Sequence, residues 1–156
     1  MKRNEHLRTL SRDHHFGLLF CWKIRQGLKN KIATVRIRQY VNYYWVSYLH
    51  QHFLDEETVL FNPLNDRLCN MGISQHKKIE AQIKYINEAE EGDTDAYKLL
   101  ADLVDKHIRF EERELFPYLE SVLSEEKMAI IGEQLKAMHI HVPVDNYSDE
   151  FWLTTK

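Results

Sequence analysis

The chain has 156 residues, enough for one domain with a sizeable core and too few for two of ordinary size. Five Gly and three Pro, set against 44% hydrophobic and 29% charged residues, leave little turn chemistry for a sandwich or barrel and favour long helices. A net charge of −3 with scattered Lys and Arg gives no basic field for a nucleic-acid backbone, and nine His beside two Cys point to imidazole rather than thiolate chemistry.

In chain order, apolar residues at Leu7, Leu10, Leu18, Cys21, Ile24 and Leu28 recur in helical steps, with His14 in the gap, and the polar Gly27–Lys31 stretch predicts the helix end. A second helix is predicted from about Ile32 to Phe61, with Val41, Trp45, Tyr48 or Leu49, His52, Glu56 and Leu60 inward and Asn62-Pro63 as its stop. Residues 62–72 read as a connector with a short helical turn. Asn70 or Ser74 caps a third helix to Ala89, with Ile73, His76, Glu80, Ile83 and Asn87 inward and Gly92 beyond its end. Asp93 or Thr94 caps a fourth helix through about Glu120, with Leu100, Val104, His107, Glu111, Glu114 or Leu115 and Tyr118 inward. Ser124 opens a shorter fifth helix to about Met138, and His141 to Trp152 reads as a tail with exposed or docked aromatics. No internal repeat stands out. The expected fold is all-α: a single domain over 1–156, an antiparallel up-down-up-down four-helix bundle over about 5–120, and an added helix and tail over 124–156.

Four helices each place one histidine, His14, His52, His76 or His107, on a face that ought to be apolar. Three have a carboxylate four residues on, Glu56, Glu80 and Glu111, and positions i and i+4 lie one above the other on a helix. An inward carboxylate costs several kcal/mol unless paired or metal-bound, and basic partners on these stripes are scarce. Imidazole and carboxylate without thiolate suit iron, manganese or zinc, and a carboxylate has two oxygens with which to bridge two ions. The candidate ligands are His14, His52, Glu56, His76, Glu80, His107 and Glu111. His15, about 100° round the helix from His14, is the alternative on the first helix. Glu80 is either a terminal ligand or a solvated residue just past the stripe. Tyr48 is a candidate hydroxyl donor or a core filler; His6, His50, His139 and His141 read as peripheral. Neither Glu-x-x-His nor His-Glu-x-x-His occurs, which disfavours a ferritin-like di-iron site and a zincin peptidase.

The segments Leu10-Ser-Arg-Asp-His14-His15, His52-Phe-Leu-Asp-Glu56-Glu57, Gln75-His76 and His107-Ile-Arg-Phe-Glu111, followed by Leu115-Phe116-Pro117, resemble the metal-binding segments of the hemerythrin-like (HHE cation-binding) family over residues 7–120. The resemblance implies two non-haem iron ions joined by an oxo or hydroxo group and two carboxylates, with Glu56 and Glu111 as the bridges. His14, His52, His76 and His107 match histidine ligands. Glu80 stands where oxygen carriers of the family have a second third-helix histidine, and Glu111, with Glu112 as substitute, stands for their last-helix aspartate. Four histidines with two glutamates are closer to the related iron-sulfur repair proteins. The implied function is a protein that binds or senses O2, NO or peroxide, with a redox partner unspecified. A ligating Glu80 would stabilise the ferric state and disfavour reversible carriage. The alternatives are a di-iron enzyme or iron-donating repair protein, and a metal-free helical protein docking a partner through its tail. No apolar run approaches the roughly 18 residues that span a bilayer, and polar sequence follows Met1-Lys2-Arg3 where a signal peptide has its apolar stretch. Cys21 and Cys69, single and without a paired spacing, fit a reducing, cytoplasmic setting.

Overall fold

Every described element of the computed structural model, which describes residues 3–138 and 145–153, is helical. A short 3₁₀ turn, Glu5–Leu7, leads into α1, Arg8–Lys29. Helix α2 spans 34–64 and α4 spans 94–122; between them lies α3, Arg67–Glu88, and α5, Glu125–Met138, follows.

The buried face of α1 runs Leu7, Leu10, His14, Gly17, Cys21, Ile24, in steps alternating between three and four. Gly17 takes the inward place expected for Leu18, which is exposed. On α3 the same alternation gives Cys69, Gly72, His76, Ile79, Ile83 and Ile86. Ile79, three residues after His76, therefore faces inward, and Glu80 is exposed. This helix begins earlier than Asn70 or Ser74: the Asp66 carboxylate accepts from the Cys69 amide at 2.9 Å and caps it. Asp93 caps α4 through the Ala96 amide, and Ser124 caps α5 through that of Lys127.

Helices α2 and α4 contain three wide π turns, Trp45–Leu49, Glu57–Phe61 and Glu111–Leu115. A π turn holds one residue more than an α turn, so the inward face steps by five from Tyr44 to Leu49, and after Glu111 it falls on Leu115, Phe116 and Leu119 rather than on Glu114 and Tyr118. Pro63 does not stop α2. It follows a π turn, as Pro117 does in α4, and the helix continues to Leu64 before Asn65 turns left-handed at φ 47°. Proline removes an amide donor and crowds the preceding turn, and in both helices the widened turn lies where that crowding falls.

Two apolar clusters divide the interior. One gathers Phe20, Ile24, Ile37, Tyr44, Ile83 and Leu100; the other gathers Leu10, Leu60, Phe61, Leu115, Phe116 and Leu135. Within every helix from α1 to α4, the buried histidine lies between residues of one cluster and residues of the other. Residues 145–153 pack against α1 and α2: Phe151 and Trp152 are buried, the Lys23 ammonium sits 4.0 Å over the Trp152 ring and pairs with Asp145 at 2.9 Å, and the Tyr40 hydroxyl donates to the same carboxylate at 2.5 Å. Of the predicted tail, 145–152 is thus docked on its own chain, while His139 and 141–144 lie outside the described residues. Lys23→Ala leaves a buried Asp145 without its cation and is expected to cost about 3–5 kcal/mol; an unchanged urea midpoint would contradict this.

Candidate metal centre

Six side chains meet between the two apolar clusters. His14 comes from α1, His52 and Glu56 from α2, His76 from α3, and His107 and Glu111 from α4; both carboxylates are fully buried and every imidazole is at most 8% exposed. They form two groups, His14, His52, Glu56 and Glu111, and Glu56, His76, His107 and Glu111. In each group the ligand atoms lie within 4.8 Å of one another. The two carboxylates belong to both.

One oxygen of each carboxylate is held between one imidazole of each group. Glu111 Oε1 lies 2.9 Å from His14 Nε2 and 3.2 Å from His107 Nε2. Glu56 Oε1 lies 3.3 Å from His52 Nε2 and 3.1 Å from His76 Nε2. The second oxygens, Oε2 of Glu56 and of Glu111, are buried with no hydrogen-bond partner. Buried carboxylate oxygens are almost always satisfied, so this pair marks a place for cations. His76 Nε2 and His107 Nε2 are 3.1 Å apart, close to the roughly 3 Å that two bonds of about 2.1 Å at a right angle would set.

All four imidazoles are oriented from behind. The Nδ1 atoms of His14, His52, His76 and His107 meet Glu112 Oε1 at 3.0 Å, Asp13 Oδ2 at 3.0 Å, Glu57 Oε2 at 3.1 Å and Gln75 Oε1 at 2.6 Å. Each Nδ1–H donates to its partner, which turns Nε2 to the centre, where it can bind a cation once free of its proton; metal-binding histidines are commonly held in this way. Glu112 is therefore the partner of His14. Rings cover the remaining faces: Phe116 stacks on His14 at 5.7 Å, Phe61 lies 5.4 Å from His76 and Phe53 stacks on His76 at 3.8 Å. Gly72 permits the Phe61 contact, because a Cβ there would stand 2.8 Å from that ring.

The electrostatics are those of groups crowded without cations. Burial favours neutral His14, but its hydrogen bonds to the Glu111 and Glu112 carboxylates outweigh it and hold its pKa up at about 9. For His107, burial is likewise outweighed by Glu111 and Glu56, again to about 9. His76 is pushed down to about 2 by burial and the adjacent His107. Burial and the neighbouring Glu111 push Glu56 above the ordinary carboxylate range. Glu111 is held below it, burial being overcome by His107 and the surrounding hydrogen bonds.

A cavity of about 30 Å3 adjoins the cluster, lined by Tyr44, Leu49, Val104 and Ile108 together with His14, His52 and His107. That volume holds one or two water-sized molecules.

A family model, the hemerythrin HHE cation binding domain, matches residues 5–119. The chain belongs to this family. No characterised protein and no solved structure matched it. As a hemerythrin-like domain it has imidazole and carboxylate donors suited to a metal ion, and its cysteines, Cys21 and Cys69, stand outside both donor groups. Glu80 is not in either group; it is exposed and its charge acts on Glu57. The ferric-stabilising role expected for it has no basis in this placement. His15 is also exposed and rests against Phe16. His50 is exposed and stacks on Trp45, and Tyr48 borders the cavity 3.4 Å from the Tyr43 hydroxyl.

Sequence reading missed the four side chains behind the imidazoles, and it missed a repeat. His52-x-x-x-Glu56-Glu57-x-x-Leu60-Phe61 recurs as His107-x-x-x-Glu111-Glu112-x-x-Leu115-Phe116. In both copies the first glutamate enters the cluster, the second holds the histidine of a neighbouring helix, and the phenylalanine covers that same histidine. Aligning the two segments by their His-x-x-x-Glu-Glu core was the signal available.

Proposed function

We propose that this hemerythrin-like domain holds two non-haem iron ions and binds or senses a small ligand, O2, NO or peroxide. The observation that carries the reading is the sharing of Glu56 and Glu111 by both donor groups. Two imidazoles and two shared carboxylates per position leave coordination places open, and a bound pair of ferrous ions supplies electrons and those places to the ligand. Glu56 and Glu111 hold the pair together, the four histidines present Nε2, and Phe53, Phe61 and Phe116 keep water from the rings they cover. The cavity delivers molecules of diatomic size to His14, His52 and His107.

An antiparallel up-down-up-down bundle agrees with the order of the clusters along the chain. From start to end, α1 and α3 pass from the Leu10–Phe116 cluster to the Phe20–Ile83 cluster, and α2 and α4 pass the other way. Free, buried Cys21 and Cys69 favour a reducing, cytoplasmic setting, which also keeps iron ferrous and presupposes a reductant as redox partner. No helix among the described residues is long and apolar enough to cross a membrane.

Anaerobic reconstitution with ferrous iron, followed by O2 or NO, tests the reading. Two irons per chain and a new visible absorption on exposure are expected; a colourless protein that retains no iron would overturn it.

A further inference from the structure

The His-x-x-x-Glu-Glu repeat makes the two halves of the centre similar, and one difference between them lies behind the pair His52 and His107. Glu112 behind His14 is matched by Glu57 behind His76, and Phe116 over His14 by Phe61 near His76. His52 and His107 are backed differently. Asp13, the residue before His14, holds His52, whereas Gln75, the residue before His76, holds His107. Three residues after His52 the chain has Asp55, 2% exposed, whose charge acts on His52; three residues after His107 it has the apolar Phe110. Both differences place negative charge behind His52 and none behind His107.

We propose that the two cation positions are unequal, and that Asp13 makes the His14/His52 position the tighter of the two. Asp13 and Gln75 act as positioning residues, each through the imidazole it holds. A carboxylate accepting the Nδ1 proton makes Nε2 a more basic donor than an amide carbonyl does, and it adds anionic charge close to the cation. The cavity borders both positions: its walls include Asp13, His14 and His52 of the tighter one and His107 of the other. This inference rests on the two-cation reading given under Proposed function.

Titration of the metal-free full chain with Co(II), followed by visible absorption, tests it. Two binding steps are expected. Asp13→Asn should weaken the tighter step by about 10- to 100-fold, the usual effect of removing a partner behind a ligand, and leave the weaker step within about twofold. Gln75→Glu should strengthen the weaker step by a similar factor, a gain that a damaged fold does not produce. Ferrous iron-57 loaded protein should give two Mössbauer doublets of equal area that draw together in Gln75→Glu. Two equivalents bound with neither variant moving its own step, or a single doublet in the unaltered protein, would overturn the inequality alone. Fewer than two equivalents in the unaltered protein would overturn the two-cation reading and the inequality with it.

Discussion

Glu111→Ala and Glu56→Ala should each lose both metal ions, His14→Ala should lose chiefly one, and His15→Ala should lose none. Each carboxylate belongs to both donor groups, so its removal takes a donor from two positions at once. His14 belongs to one group, and exposed His15 to neither. The carboxylate variants also strand imidazoles: without Glu111, His14 and His107 lose the oxygen that lies 2.9 and 3.2 Å from their Nε2 atoms. Breaking a buried pair costs about 3–5 kcal/mol, so the metal-free variant should also unfold earlier in urea. Metal content of untagged protein by plasma mass spectrometry decides the first point. Equal content in Glu56→Ala, Glu111→Ala and His15→Ala would refute the assignment of the shared carboxylates.

Removing the metal should make stability fall as pH rises from about 6.5 towards 9, and restoring it should remove that fall. In the metal-free chain His14 and His107 titrate at about 9, against about 6.5 when unfolded. The folded state keeps protons that the unfolded state releases, so their contribution is complete below 6.5 and lost as pH rises through 9. His76, at about 2, behaves in the opposite sense, since below 6.5 the unfolded chain takes up a proton that the folded chain refuses, and Glu56, held above the carboxylate range, opposes that acid loss. Glu111, held below the usual carboxylate range, adds to the acid loss as it protonates. Each such group contributes a slope of about 1.4 kcal/mol per pH unit within its window. Bound cations displace the protons from His14 and His107, which removes the alkaline slope, and each adds about 2.7 kcal/mol at a free concentration one hundred times its Kd. Urea midpoints from pH 5 to 9, with and without chelator, measure this; coincident profiles would contradict it.

Burial periodicity made most of the helices legible in the sequence, because an amphipathic stripe depends only on side-chain polarity and a fixed angle per residue. It failed where the angle changes. The π turns at Trp45–Leu49 and Glu111–Leu115 shifted the inward face, so that Tyr44 stands inward rather than Trp45 and Leu119 rather than Tyr118, while of Glu114 and Leu115 it is Leu115 that is buried. It also failed at Glu80, where a step of four was assumed and α3 takes a step of three to Ile79.

The sequence by itself determined the helical class, the histidine in the middle of each of four stripes, and the two carboxylates at i+4 that the structure also brings inward. These are properties of one helix at a time. Only the tertiary structure decided which imidazoles share which carboxylate, that Glu56 and Glu111 leave an unpaired buried oxygen each, and that Asp13, Glu57, Gln75 and Glu112 stand behind the rings. All of those relations run between helices. Their distances are set by how the four faces pack, and no spacing along a single helix encodes them.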